Sequence, residues 1–92
     1  MTAYQTRNPA ECPREMEDER FELRQKGWGN RLLYDVFLKD EKGIPEIFLG
    51  TCIIERWWTH LLEVKVLTEN KEKKGLLTKR KYDVEKVIKR NL

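Results

Sequence analysis

Residues 32–67 read LLYDVFLKDEKGIPEIFLGTCIIERWWTHLLEVKVL, and they contain most of the apolar side chains of the 92-residue chain. Apolar and polar side chains alternate at Arg31–Lys39 and at Leu61–Thr68, which predicts two strands with one buried face each. Between them, Glu46–Glu55 is apolar in both alternations, so we expect an interior strand that is covered on both faces. Asp40–Gly43 is typical of a hairpin turn with glycine at its left-handed position.

Toward the amino terminus, alternation predicts a further strand at Arg20–Lys26, followed by a turn at Gly27–Asn30. Residues 14–19 follow Pro13 and are rich in acids, which suits the first turn of a helix, so we expect a short helix or coil there. Residues 1–13 are polar and aperiodic. We predict that they form a flexible tail ahead of a single domain at residues 14–92.

Toward the carboxyl terminus, Arg56–His60 is expected to form a turn or bulge, and 69–75 an exposed loop. Val84, Val87 and Ile88 recur at helical spacing, which predicts a helix that begins near Thr78. These elements together predict an α+β fold. Its core would be a four-stranded antiparallel β-sheet, a meander, with one C-terminal helix packed on it and a possible short N-terminal helix.

Charge is sorted along the chain. Residues 71–92 contain nine basic and three acidic side chains, a net charge of +6, although the whole chain carries only +3. Residues 11–22 contain six acidic and two basic side chains, a net charge of −4, and are expected to solubilise the chain or to pair with the basic end. A concentrated positive surface attracts polyanions. The alternative is an ordinary solvated helix face.

Three tryptophans offer aromatic contacts beside these charges. Trp28 lies between two glycines at a hairpin tip, where burial is difficult. Trp57 and Trp58 point in opposite directions in an extended chain, so one of them is expected to stay outside the core, while the other caps the sheet. Exposed rings can stack on bases. The candidate nucleic-acid-binding residues are therefore Lys71, Lys73, Lys74, Lys79, Arg80, Lys86, Lys89, Arg90, Trp28 and Trp57.

No catalytic, metal-binding or cofactor-binding residue is predicted. His60 is the single histidine, and it has no nucleophile or paired carboxylates at a recognisable spacing. Cys12 and Cys52 form neither a metal-binding pair nor the dense cysteine pattern of a small secreted domain, and Cys52 is expected to be a buried, inert thiol. We therefore expect a protein that is not an enzyme and needs no cofactor.

A cytoplasmic location and no membrane contact are expected. The first residues lack the basic start and apolar core of a signal peptide. The longest apolar run, IFLGTCII at residues 47–54, is too short to cross a bilayer.

Two functional hypotheses follow, from different classes. The first is a small non-enzymatic nucleic-acid-binding domain that contacts DNA or RNA with its basic C-terminal helix and loop. The second is a protein–protein interaction module, such as an inhibitor, adaptor or accessory factor of phage, viral or microbial origin. Its anchors would be Trp28, Trp57, Trp58 and Phe48. In either case a homodimer could form through the backbone of Arg20–Lys26, if that strand is an edge of the sheet.

The stretch from Gly29 to Gly50 contains a strand, an Asp-x-x-Gly turn and another strand, and in this it resembles the arm-binding domains of tyrosine recombinases. That resemblance covers about a quarter of the chain. It implies a sheet with one packed helix that binds DNA. The fourth predicted strand departs from the three-stranded pattern of those domains, and no binding residue is carried over.

Overall fold

The computed structural model of the chain describes residues 12–26, 32–58 and 61–91, and it describes the backbone alone for Glu46, Trp57 and Trp58. Within these residues the fold is α+β, with an open antiparallel sheet whose strands pair in chain order. The strands are β1 (Glu15–Glu17), β2 (Phe21–Gln25), β3 (Leu33–Lys39), β4 (Pro45–Trp58) and β5 (Leu61–Glu69). They are followed by a 3₁₀ helix (Lys71–Lys73) and two α-helices, α1 (Leu76–Lys79) and α2 (Lys81–Asn91).

The sheet has five strands in place of the predicted four, because β1 occupies the segment for which a short helix or coil was expected. The side chain of Met16 is buried while those of Glu15 and Glu17 are exposed, which is the period of a strand. Asp18 closes the turn into β2, since its carboxylate accepts hydrogen bonds from the backbone N–H groups of Arg20 and Phe21 at 2.8 Å each. The helix prediction is therefore wrong at residues 14–19.

The added strand also corrects the predicted edge of the sheet. β2 pairs with β1 on one side and with β3 on the other. Its backbone is therefore not available for a second copy of the chain, and dimerisation through Arg20–Lys26 is excluded.

β4 is longer than expected. Its backbone continues through Arg56 to Trp58, and Trp57 and Trp58 pair with Leu62 and Leu61 of β5, so a turn at Arg56–Trp58 is wrong. A bulge, the expected alternative to a turn, occurs one residue earlier, where the register shifts between Ile54 and Arg56. Thr59 and His60 lie outside the described residues.

β4 is an interior strand as expected, with β3 and β5 as its neighbours. The expectation that both its faces are covered is wrong for Phe48, which is 37% exposed. Its neighbour Leu49 is completely buried in the core. The described helices therefore cover one face of the sheet, and Phe48 lies on the other.

Helix α2 packs across the covered face from β5 toward β1. Val84, Val87 and Ile88 are buried, as the helical spacing predicts. At the far end, the Asn91 amide donates to the backbone oxygen of Glu17 in β1 at 3.3 Å. The helical residues begin at Leu76, before the expected start at Thr78, and Arg80 separates α1 from α2. No helix among the described residues is long and apolar enough to cross a membrane.

The two cysteines, Cys12 and Cys52, are both buried, and they do not form a disulfide with each other. Burial raises the pKa of the Cys52 thiol to about 12, and the nearby charge of Asp35 acts in the same direction. Tyr34 is also buried, and its hydroxyl donates to the backbone oxygen of Pro13 at 2.7 Å. This bond ties the segment before β1 to β3. Residues 1–11 lie outside the described part of the chain, so the flexible tail remains a prediction there.

Candidate nucleic-acid interface

The outer face of α2 consists of Tyr82, Lys86 and Lys89, which are all exposed. These residues are spaced at i, i+4 and i+7, so their side chains lie in one row along the helix. The buried row of Val84, Val87 and Ile88 lies against the sheet. The same helical period that fills the core therefore turns two lysines and a tyrosine toward solvent.

Tyr82 belongs to this face, although the sequence reasoning assigned it no role. Its side chain is 66% exposed, and the Lys86 ammonium lies 4.7 Å from the centroid of its ring. A cation at this distance is attracted by the negative face of the ring. The i, i+4 spacing of Tyr82 and Lys86 is a signal that could have identified the pair from the sequence.

Three of the predicted lysines lie in or next to the 3₁₀ helix, and all are exposed: Lys71, Lys73 and Lys74. Asn70 holds this segment in place. Its side-chain oxygen accepts from the N–H of Glu72 at 2.9 Å, and its amide donates to the backbone oxygen of Phe48 at 2.8 Å. The three ammonium groups are thus carried by a capped turn that is bonded to β4.

Lys79 is exposed at the end of α1. The helix is positioned by Glu69, whose carboxylate accepts from both the backbone N–H and the hydroxyl of Thr78, at 2.8 and 2.7 Å. These hydrogen bonds lower the pKa of Glu69. Thr78, near which the helix was expected to begin, lies inside α1. Gly75 is the N-cap residue of α1, and Asp83 lies within α2.

The two arginines of the predicted set have acidic partners. Arg80 lies 3.6 Å from Asp83, three residues farther along the chain, and Arg90 lies 3.6 Å from Glu19 in the turn between β1 and β2. The first pair is partly exposed and the second is exposed to solvent, where ion pairs contribute little to stability. The predicted pairing between the acidic segment and the basic end is therefore limited to Arg90 in the described structure.

Two other acids of that segment pair with basic side chains of the sheet. Glu17 lies 2.8 Å from Lys39, and Glu22 lies 2.9 Å from Arg24. Within residues 12–26, 32–58 and 61–91, no ion pair involves the six predicted lysines. We call these six the lysine surface: Lys71, Lys73, Lys74, Lys79, Lys86 and Lys89.

The two tryptophans of the predicted site are not placed on the lysine surface. Trp28 lies outside the described residues, and for Trp57 only the backbone is described. That backbone is seven residues along β4 from Gly50, about 23 Å at the rise of a strand. Gly50 contacts α1 through Leu77, so the backbone of Trp57 lies toward the opposite end of β4 from α1.

A second surface lies on the face of the sheet opposite α2. The rings of Phe37 and Phe48 are in tilted contact, with their centroids 5.5 Å apart. The Arg24 guanidinium lies 5.1 Å from the centroid of Phe37 and is also 2.9 Å from Glu22. Phe37 is not among the residues for which a function was predicted from the sequence. We call this group the aromatic cluster: Arg24, Phe37 and Phe48.

Neither surface offers metal-ligand chemistry, since no group of three or more His, Cys, Asp or Glu side chains among the described residues is arranged to hold a metal ion. His60 lies outside those residues. The comparisons with known proteins gave no match. No family model, curated protein or solved structure matches the chain. The functional assignment therefore depends on the chemistry of the two surfaces.

Proposed function

We propose that this chain is a non-enzymatic nucleic-acid-binding domain that contacts phosphates with the lysine surface. The observation that supports it is the state of those six lysines. They are exposed and have no ion pair with a described residue, whereas Glu17 and Glu22 pair with basic side chains of the sheet and Glu19 pairs with Arg90. Exposed ammonium groups that have no ion-pair partner among the described residues attract a polyanion, and each phosphate contact releases counterions.

The expected salt dependence follows from the number of lysines. If all six neutralise a duplex phosphate, the slope of log K against log salt is about −5. Affinity then falls roughly a thousandfold between about 50 mM and about 200 mM salt. If the lysines are only an ordinary solvated surface, no binding to nucleic acid is measurable at the lower salt concentration.

Tyr82 adds a preference for single strands. Its ring is exposed beside Lys86, and a base that stacks on an aromatic ring contributes about 1–3 kcal/mol. The bases of a duplex are already stacked on one another, so they are less accessible to the ring. We therefore expect single-stranded DNA or RNA to bind more tightly than duplex DNA of the same length.

The test is fluorescence anisotropy with labelled single-stranded DNA, duplex DNA and RNA at about 50 mM and about 200 mM salt. Lys86→Gln with Lys89→Gln removes two charges from the outer face of α2. We expect the salt slope to become shallower by about 2, because each lost phosphate contact contributes about 0.9.

The matched control is Lys26→Gln with Lys42→Gln, which removes the same charge from exposed positions at the end of β2 and in the β3–β4 turn. This pair should leave the slope nearly unchanged. Absence of binding to all three ligands at the lower salt concentration refutes the function. Equal losses in both double variants refute the location, because they show a response to net charge alone.

The aromatic cluster favours a second candidate, a protein-binding module. Aromatic and arginine side chains are enriched in interfaces, and Phe48 was already a predicted anchor. Its 37% exposure and its contact with Phe37 give it the position of such an anchor. This function would be favoured by a protein whose binding is abolished by Phe48→Ser and is unchanged by Lys86→Gln with Lys89→Gln.

A further inference from the structure

The β5 strand is a long unpaired edge of the described sheet. It comprises nine residues, Leu61–Glu69, and pairs with β4 on one side. Among the described residues no strand pairs with its other side. The opposite edge is β1, which has only three residues. A strand edge of this length presents a row of backbone donors and acceptors that another strand can use.

We propose that two copies of this chain form a homodimer by antiparallel pairing of β5 with β5, centred on Val64. The partner is a second copy because the sequence of the strand, Leu-Leu-Glu-Val-Lys-Val-Leu at residues 61–67, complements itself when it is reversed. In this register Glu63 lies opposite Lys65 of the second copy, and by symmetry Lys65 lies opposite Glu63. Directly opposite charges stabilise a pair of strands.

The other positions match as well. Leu62 lies opposite Val66 of the second copy, Val64 lies opposite its own counterpart, and Leu61 lies opposite Leu67. Neighbouring symmetric registers lose this match. Centring on Glu63 places two carboxylates opposite each other, and centring on Lys65 places two ammonium groups opposite each other. Like charges at opposite positions are destabilising, so the alignment on Val64 is selected.

The faces of the strand agree with this register. Leu62 and Val64 are buried on the face that α2 covers, and Val66 is partly buried beside them. Glu63 and Lys65 therefore lie on the opposite, solvated face. A two-fold axis perpendicular to the sheet keeps each face continuous across the interface. The apolar rows of the two copies meet on one side, and the two ion pairs form on the other.

Two features of the strand limit the interface without preventing it. The register with β4 shifts between the pairs made by Val66 and Thr68, so the regular edge ends near Leu67, which is 46% exposed. Glu63 already lies 3.5 Å from Arg56, with both side chains about half exposed. Such a surface pair is weak and leaves the carboxylate able to accept a second cation.

The dimer would place the α2 helices of both copies on the same side of one ten-stranded sheet. Such a dimer requires only the free edge, the sequence and the faces of β5. It stands or falls independently of nucleic-acid binding.

The test uses two charge reversals and their mixture. Glu63→Lys gives a strand with two lysines at these positions, and Lys65→Glu gives one with two glutamates. Each variant alone places like charges opposite each other at two positions. We expect the dissociation constant of each homodimer to rise about tenfold to a hundredfold. The mixture restores both opposite-charge pairs, and we expect a heterodimer with an affinity near that of the wild type.

The mass is measured by analytical ultracentrifugation at micromolar concentration, where a dimer has twice the monomer mass of 11.1 kDa. Circular dichroism of each variant confirms that the fold is retained, and Lys42→Glu is the control for a single reversal away from β5. A wild-type protein that stays monomeric overturns the proposal. So does a dimer that Lys65→Glu leaves intact, or a mixture of two folded variants that remains monomeric.

Discussion

At Gly50 the backbone of β4 closely approaches β5 and the side chain of Leu77 in α1, and Gly50→Ala tests that contact. The residue lies in β4 with φ of +146°, a conformation that side-chain-bearing residues rarely adopt. A β-carbon placed there would lie 2.2 Å from the backbone oxygen of Thr68. It would also lie 2.9 Å from the side chain of Leu77 in α1. The added methyl therefore has no space unless β5 or α1 moves.

Two costs add at this site. The unusual backbone conformation costs about 1–3 kcal/mol once glycine is replaced. Inserting a methyl group into close-packed surroundings costs about 1–3 kcal/mol more. A chain of 92 residues has a free energy of unfolding of about 5–14 kcal/mol. The sum of about 2–6 kcal/mol is therefore a large fraction of the stability, and the variant is expected to be marginally folded.

Gly43→Ala is the matched control. Gly43 also has positive φ, +80°, but no atom lies within 4 Å of the position that a β-carbon would take. Its replacement should cost only the backbone strain, about 1–2 kcal/mol. The difference between the two variants measures the collision of β4 with Thr68 and Leu77.

The assay is urea unfolding of the wild type and both variants, followed by circular dichroism and analysed for midpoint and slope. We expect the midpoint to fall in both variants, and to fall further in Gly50→Ala. If Gly50→Ala is no less stable than Gly43→Ala, the close approach of α1 to β4 is wrong. The position of Lys79 in the lysine surface would then be wrong as well, because α1 carries that residue.

Three further outcomes are expected. Burial raises the pKa of Cys52 from 9.0 to about 12, so the folded state holds the thiol proton more tightly than the unfolded state. The contribution of Cys52 to the free energy of unfolding is therefore complete below pH 9 and falls by about 1.4 kcal/mol per pH unit above it. In urea unfolding, Cys52→Ala should reduce this slope. Glu69→Ala removes the hydrogen-bond acceptor for Thr78 and should lower the thermal midpoint, whereas Glu69→Gln keeps an acceptor and should lower it less. Because the pKa of Glu69 is depressed in the folded state, the stability advantage of the wild type should decline as the pH falls below 4.5. Tyr82→Ala should weaken single-strand binding about fivefold to a hundredfold in anisotropy titrations and leave duplex binding and folding nearly unchanged. A loss of stability in this variant would show that the ring has a structural role instead.

The strands with long alternating patterns were predictable from the sequence. β3 and β5 lie within two residues of their predicted bounds, because one face of each is buried and the other is solvated. Tyr34 and Val36 are completely buried in β3, while Asp35 between them is not. A period of two that lasts for several residues leaves a clear signal, and tertiary packing did not override it.

β1 left no comparable signal. It contains one apolar residue, Met16, and three residues are too few to show a period. Pro13 and the acids that follow it also satisfy the rules for a helix start, so local preference pointed to the wrong structure. The strand exists because Met16 can be buried against β2 and α2, and Asp18 can close the turn, which are tertiary facts.

The prediction of where β4 ends was wrong for a different reason. Arg56–His60 interrupts the apolar run, and this break in the pattern suggested a turn or a bulge. The segment nevertheless contains no glycine, proline, asparagine or aspartate, the residues that normally end a strand. The strand continues to Trp58, and a one-residue bulge near Glu55 takes up the irregularity.

The candidate site shows how core and surface depend on each other. The phase of α2 was predictable from Val84, Val87 and Ile88, and that phase turns Lys86 and Lys89 outward. The tryptophans were the predicted stacking residues because at least one of their rings was expected to be exposed. A stacking ring adds most to phosphate binding where exposed cations lie beside it. Tyr82 meets the condition because it shares the helical phase of Lys86, so the period that locates the core also locates the aromatic residue of the proposed interface.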